Sequence, residues 1–81
     1  MKIEDYFYFV NGKETTFDKW LIALKKMSRT DLAYEVSKKR ALEKIENDSI
    51  IYGWNIEQKS TGIHLRIQRK DYKGKEMKNN E

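Results

Sequence analysis

Residues 50–70 read IIYGWNIEQKSTGIHLRIQRK, and the rest of the chain can be organised around them. Ile50, Tyr52, Trp54 and Ile56 alternate with shorter or polar residues, and Ile63, Leu65 and Ile67 do the same after a turn. A period of two marks a strand with one wet face and one dry face. Lys59-Ser60-Thr61-Gly62 supplies the reversal, with Gly62 suited to a positive φ at the end of a four-residue loop. Pairing Gln58 with Ile63 sets Ile56 against Leu65 and Trp54 against Ile67, so the large apolar side chains share one side. A slip of one residue would turn them all outward. The opposite side then carries Asn55 beside Arg66, Glu57 beside His64 and Lys70 beside Ile51.

A second hairpin lies at the start of the chain, where Tyr6-Phe7-Tyr8-Phe9-Val10 is followed by Asn11-Gly12 and then residues 13–17. Asn-Gly suits a type I′ turn, whose two central residues both need positive φ. That turn sets Val10 against Lys13, Tyr8 against Thr15 and Tyr6 against Phe17. Successive strand side chains point to opposite faces, so Tyr6 and Tyr8 oppose Phe7 and Phe9. The tyrosines are expected on the open side, since their hydroxyls seek water or a partner.

Between the hairpins the period changes. Residues 18–27, DKWLIALKKM, form a helix capped by Thr16 or Asp18, with Trp20, Leu21, Leu24 and Met27 at helical spacing. Lys25 and Lys26 suit the negative end of its dipole without any ligand. Ser28 or Thr30 then caps a second helix that runs to about Asn47. Its apolar residues fall on two sides: Leu32, Ala33 and Val36 on one, Tyr34, Ala41, Leu42 and Ile45 on the other. A bend, or a strip left open for a partner chain, accounts for that. Glu35, Lys39 and Glu43 form i,i+4 pairs of a solvated face, so the lysines nearby need no phosphate to explain them.

The expected fold class is therefore α+β: a small single domain, ββααββ, with two antiparallel hairpins flanking a bent or split helical segment. The helices lie on one face of the sheet. The domain spans residues 1–70, and the polar, aperiodic residues 71–81 form a flexible tail.

An 81-residue chain buries only about 60% of the surface it exposes when unfolded, so either a monomer or a homodimer is open to it. The formal charge of +4 is concentrated in residues 25–46 and residues 69–81, which favours phosphate-rich or acidic partners but also serves plain solubility. The absence of cysteine excludes disulfides, thiolate metal sites and a thiol nucleophile. Met1 to Asp5 lack the pattern of a signal peptide and no apolar run reaches membrane-spanning length, so a cytoplasmic setting without membrane contact is expected. Thirteen lysines against four arginines, with abundant isoleucine and asparagine, are residues of A/T-rich codons and point to a low-GC genome or to a phage or plasmid of such a host; the small size adds weight to a mobile-element source.

The residues carry little chemistry. His64 beside Glu57 has no serine, cysteine or second carboxylate placed near it, and one histidine cannot close a metal site. Gly12, Gly53, Gly62 and Gly74 are isolated and form no phosphate-cradling loop. The chain is read as non-catalytic, with no cofactor and no metal. What remains is recognition by the open sheet face, to which Tyr6, Tyr8, Asn55, His64, Arg66, Gln68 and Lys70 are assigned. The favoured reading is a viral or phage protein that binds and blocks a host protein or nucleoprotein machine, an anti-CRISPR-type inhibitor being the concrete example. The alternative is direct binding of single-stranded RNA or DNA, because aromatic rings interleaved with basic side chains stack bases and pair phosphates.

Overall fold

Asn11 and Gly12 adopt φ of 52° and 83°, the left-handed geometry their turn requires, and the chain reverses on them. The computed structural model describes residues 2–71, and within it this turn joins β1 (Tyr6–Val10) to β2 (Lys13–Thr15). Val10 faces Lys13 and Tyr8 faces Thr15, as the turn dictates. The strand then stops two residues short of expectation. Thr16 accepts a hydrogen bond from the Lys19 amide at 3.2 Å and caps α1 (Phe17–Met27), so Phe17 opens a helix instead of facing Tyr6. A side-chain acceptor at that position satisfies one of the amides a helix start leaves bare.

Helix α1 ends at Ser28, whose hydroxyl donates back to the Leu24 carbonyl at 2.7 Å. Thr30 caps α2 (Asp31–Glu46) by accepting from the Ala33 amide at 3.0 Å. The helical segment is thus split at residues 28–30, and α2 runs on without interruption. Only part of α2 reaches the core: Ala41 and Ile45 are buried, whereas Leu32 is 74% and Val36 54% exposed. The two-sided pattern of this helix is a strip left open.

The second hairpin pairs β3 (Trp54–Gln58) with β4 (Ile63–Arg69) in the register expected from Gly62, which adopts φ of 73°. Here too the strand is shorter. Residues 50–53 lie outside β3, so Ile50 reaches the core from a loop and Tyr52 is exposed. Lys70 does not face Ile51; its amide donates to the Asp5 carbonyl at 3.0 Å and prolongs the pairing of β4 with β1.

All four strands form one antiparallel sheet in the order β2-β1-β4-β3, with both helices on the same face. Joining the hairpins through β1 and β4 places Tyr8 opposite Ile67 and Val10 opposite Leu65. The core follows from that alignment: Tyr6, Tyr8, Leu65 and Ile67 of the sheet meet Trp20, Leu24, Met27, Ala41, Ile45 and Ile50. Burying the leucine, isoleucine and methionine side chains supplies roughly 1.5–3 kcal/mol each relative to exposure, against the entropy of ordering the chain. Trp20 is fully buried with its ring stacked on Phe17, and its Nε1 has no acceptor among the described residues.

The expected exposure of Tyr6 and Tyr8 is corrected here, for the two are 2% and 4% exposed. Their hydroxyls are satisfied inside. Tyr8 donates to the Ile3 carbonyl at 2.7 Å, and Tyr6 approaches the Ile45 carbonyl at 3.5 Å. A phenol whose hydroxyl finds a carbonyl can be buried at little polar cost, and its ring then adds area to the core. Burial accordingly raises both phenol pKa values above their ordinary range. Of the tail expected from residue 71 onward, Asp71 holds Arg69 through two hydrogen bonds, and residues 72–81 lie outside the described residues.

Candidate binding face

Once the tyrosines point inward, strand alternation puts Phe7 and Phe9 on the side away from the helices. Both are half-buried, and their ring centroids stand 6.4 Å apart at 58°. The β1–β4 register places Phe9 beside Arg66 and Phe7 beside Gln68. The β3–β4 register adds Asn55 beside Arg66 and Glu57 beside His64, while Glu14 faces Phe9 from β2. Five of the seven residues assigned from sequence therefore do meet on one face: Asn55, His64, Arg66, Gln68 and Lys70. Tyr6 and Tyr8 do not, and Phe7 and Phe9, which alternate with them along β1, take their place.

The polar side chains are ordered by one another. Arg66 donates from Nε to Gln68 Oε1 and from Nη2 to the Tyr52 carbonyl, both at 3.3 Å. Its guanidinium crosses directly over Gly53, where a Cβ would lie 2.2 Å from Nη2. Glycine at that position lets the arginine lie flat against the sheet edge. His64 Nε2 lies 3.0 Å from Asn55 Oδ1, within hydrogen-bond reach. Its partner is thus an amide rather than the Glu57 carboxylate across the strand. Lys70 sits over the Phe7 ring, its Nζ 5.4 Å from the centroid.

Asn11 ties the first turn to this face. Its amide donates to the His64 carbonyl at 2.8 Å, and its Oδ1 accepts from the His64 amide at 2.8 Å. Beside that turn, Phe9, Gly12, His64, Arg66 and Gln68 line a shallow depression of about 260 Å³. Gly12 keeps one wall open, since nothing lies within 4 Å of where its Cβ would be.

The face carries Arg66 and Lys70 against Glu14 and Glu57, so an apolar pair is ringed by balanced charge. Among the described residues no group of three or more histidine, cysteine, aspartate or glutamate side chains could hold a metal ion. None of their helices is long and apolar enough to cross a membrane. The signal for Phe7 and Phe9 was present in the sequence as Val10, an aliphatic residue on the tyrosine side of β1 that already leaned toward the core. Compared with known proteins, the chain matches no protein-family model, no curated protein and no solved structure.

Proposed function

We propose that this is a non-catalytic binding protein whose open sheet face docks on one partner protein and blocks it. The observation that carries the reading is the Phe7–Phe9 pair at the centre of the sheet, held half-buried and rimmed by Arg66, Gln68, His64 and Asn55. An apolar, aromatic centre inside a polar rim with arginine is the anatomy of protein interfaces, where a few such anchors supply most of the affinity. The A/T-rich residue usage adds the setting: a phage or mobile-element product acting in the host cytoplasm. A nucleoprotein effector is the target class, as for an anti-CRISPR-type inhibitor.

Direct binding of single-stranded nucleic acid is the second reading, and the phenylalanine rings near Arg66 and Lys70 favour it. The balance of charge weighs against it. Glu14 stands directly beside Phe9, and Glu57 adds a second carboxylate to the same face beside His64, where a phosphate backbone would need cations.

The test expresses the protein in cells whose RNA-guided effectors restrict a plaque-forming phage. Wild type should restore plaquing against at least one effector, and Phe9→Ser or Arg66→Glu should remove the effect while circular dichroism stays unchanged. Losing one central anchor corresponds to about 2 kcal/mol or more, roughly 30-fold in affinity. Inhibition that survives both substitutions rules out this face as the docking surface. Tight binding of a labelled single-stranded oligonucleotide, weakening steeply with salt, would transfer the assignment to the second reading.

A further inference from the structure

The two edges of the sheet are unequal, and the difference shows in the direction of their backbone groups. Toward β1, the His64 carbonyl accepts from Asn11 and the Lys70 amide donates to Asp5. Alternation along β4 then turns His64, Arg66, Gln68 and Lys70 toward β1, and Ile63, Leu65 and Ile67 toward β3. Their partners Gln58, Ile56 and Trp54 point inward, so Asn55 and Glu57 present their N–H and C=O groups outward from β3. On the far edge, β2 has three residues, Lys13–Thr15, and the same alternation leaves Glu14 as its one outward residue. Short, charged edges resist further pairing, and β2 is such an edge. β3 is longer, and among the described residues no strand pairs with its outer side.

We infer that two copies of this chain pair β3 to β3 in antiparallel fashion about a two-fold axis at Ile56, forming one continuous eight-stranded sheet. This rests on the sheet edge and does not depend on the binding reading above. In that register Asn55 lies opposite Glu57 of the other copy, and Glu57 opposite Asn55. Each such pair exchanges two backbone hydrogen bonds, so every outward group of both strands is satisfied. No like charges face each other. The side chains also match: Asn55 Oδ1 is engaged by His64, and Nδ2 is available to donate to the Glu57 carboxylate across the axis.

A second, independent feature meets the same axis. Ile56 is half-buried on the helix side, and as a non-hydrogen-bonded pair the two Ile56 side chains would come into contact. A groove of about 320 Å³ runs between β3 and the helices there, lined by Ile56, Glu57, Met27, Ala33 and Ser37 among others. It sets the first half of α2 beside Ile56. That half carries Leu32 and Val36, at 74% and 54% the exposed apolar residues of the helix. The two-fold brings this part of α2 toward its counterpart over the joined sheet, which gives both residues a surface to cover. It also sets the two Phe7–Phe9 faces side by side on the opposite surface.

Sedimentation equilibrium over a range of concentrations tests the pairing. The wild-type chain should reach twice its 9.8 kDa mass. Glu57→Pro removes an outward N–H without touching the β3–β4 ladder, so it should leave a folded monomer. Asn55→Glu sets a second carboxylate opposite Glu57 in both pairs and should weaken the dimer roughly tenfold, while Asn55→Arg should tighten it. Wild-type protein that stays monomeric up to millimolar concentration overturns the inference. So does a dimer that persists in folded Glu57→Pro, or equal responses to Asn55→Glu and Asn55→Arg. Should Glu57→Pro fail to fold, amide exchange of wild-type Asn55 and Glu57 decides. Protection that rises with concentration supports the pairing, and fast exchange at every concentration refutes it.

Discussion

Replacing Tyr8 by phenylalanine removes one oxygen from the core, and its consequences should change sign with pH. The hydroxyl is buried and donates to the Ile3 carbonyl at 2.7 Å. At neutral pH the loss of that bond should cost about 1 kcal/mol, toward the low end because Ile3 is 39% exposed and its carbonyl can turn to water. In alkali the balance moves the other way. Burial first, then the neighbouring Tyr6, Glu4 and Asp5, hold the Tyr8 pKa well above its ordinary value of 10.0. A phenol whose folded pKa is raised stabilises the fold fully below its unfolded pKa, and that contribution is lost as pH climbs toward the folded value, because the unfolded chain releases its proton first. At pH 11 wild type should have lost about 1.4 kcal/mol on this account. Tyr8→Phe has nothing to ionise and loses none of it, while every other titrating group is common to both proteins. The two stability curves should cross at about pH 10.6, with the variant the more stable above. Urea denaturation of both proteins at about pH 7 and about pH 11 measures this directly. A variant destabilised by the same amount at both values would refute the account of Tyr8 as a buried, protonated donor.

Two further outcomes follow from the turn and from the arginine. Asn11→Ala removes the acceptor for the His64 amide and puts an alanine at φ of 52°, so it should cost about 1–2 kcal/mol, whereas Asn11→Gly should cost less because glycine accepts that backbone. Both should speed hydrogen exchange at the His64 amide, and an unchanged rate would argue against the tie. Gly53→Ala should push the Arg66 guanidinium off the sheet edge, since the new methyl would fall 2.2 Å from Nη2. The Arg66 Nε–H resonance should then shift in the NMR spectrum, and a resonance that stays in place would show that the arginine does not rest there.

The parts of this architecture that could be read from the chain are the ones specified by neighbouring residues. Asn11-Gly12 and Gly62 decide both hairpin registers, because a turn with positive φ admits few pairings. Thr16 and Thr30 mark the helix starts, because a side-chain acceptor there satisfies bare amides. The alternation overstates the lengths of β2 and β3. Thr16 ends one strand by beginning a helix, and Ile50 finds the core from a loop although it shares the parity of Trp54 and Ile56. Periodicity reports which side a residue prefers and says nothing of whether its backbone is paired.

What residues 2–71 determine by themselves is a pair of hairpins and two capped helices, since each depends on contacts a few positions apart. Which face of β1 is the inside was settled only when β1 lay against β4 and α1 closed over it. Tyr6 and Tyr8 then met Leu65, Ile67 and Trp20, and the Tyr6 hydroxyl approached the distant Ile45 carbonyl while that of Tyr8 reached the nearby Ile3 carbonyl. Four aromatic residues in succession look alike to a pattern of period two, and only the whole fold supplies the apolar partners and the Ile45 carbonyl that make tyrosine the ring to bury. The outward-facing, half-buried phenylalanines, and with them the candidate binding face, are a product of that choice.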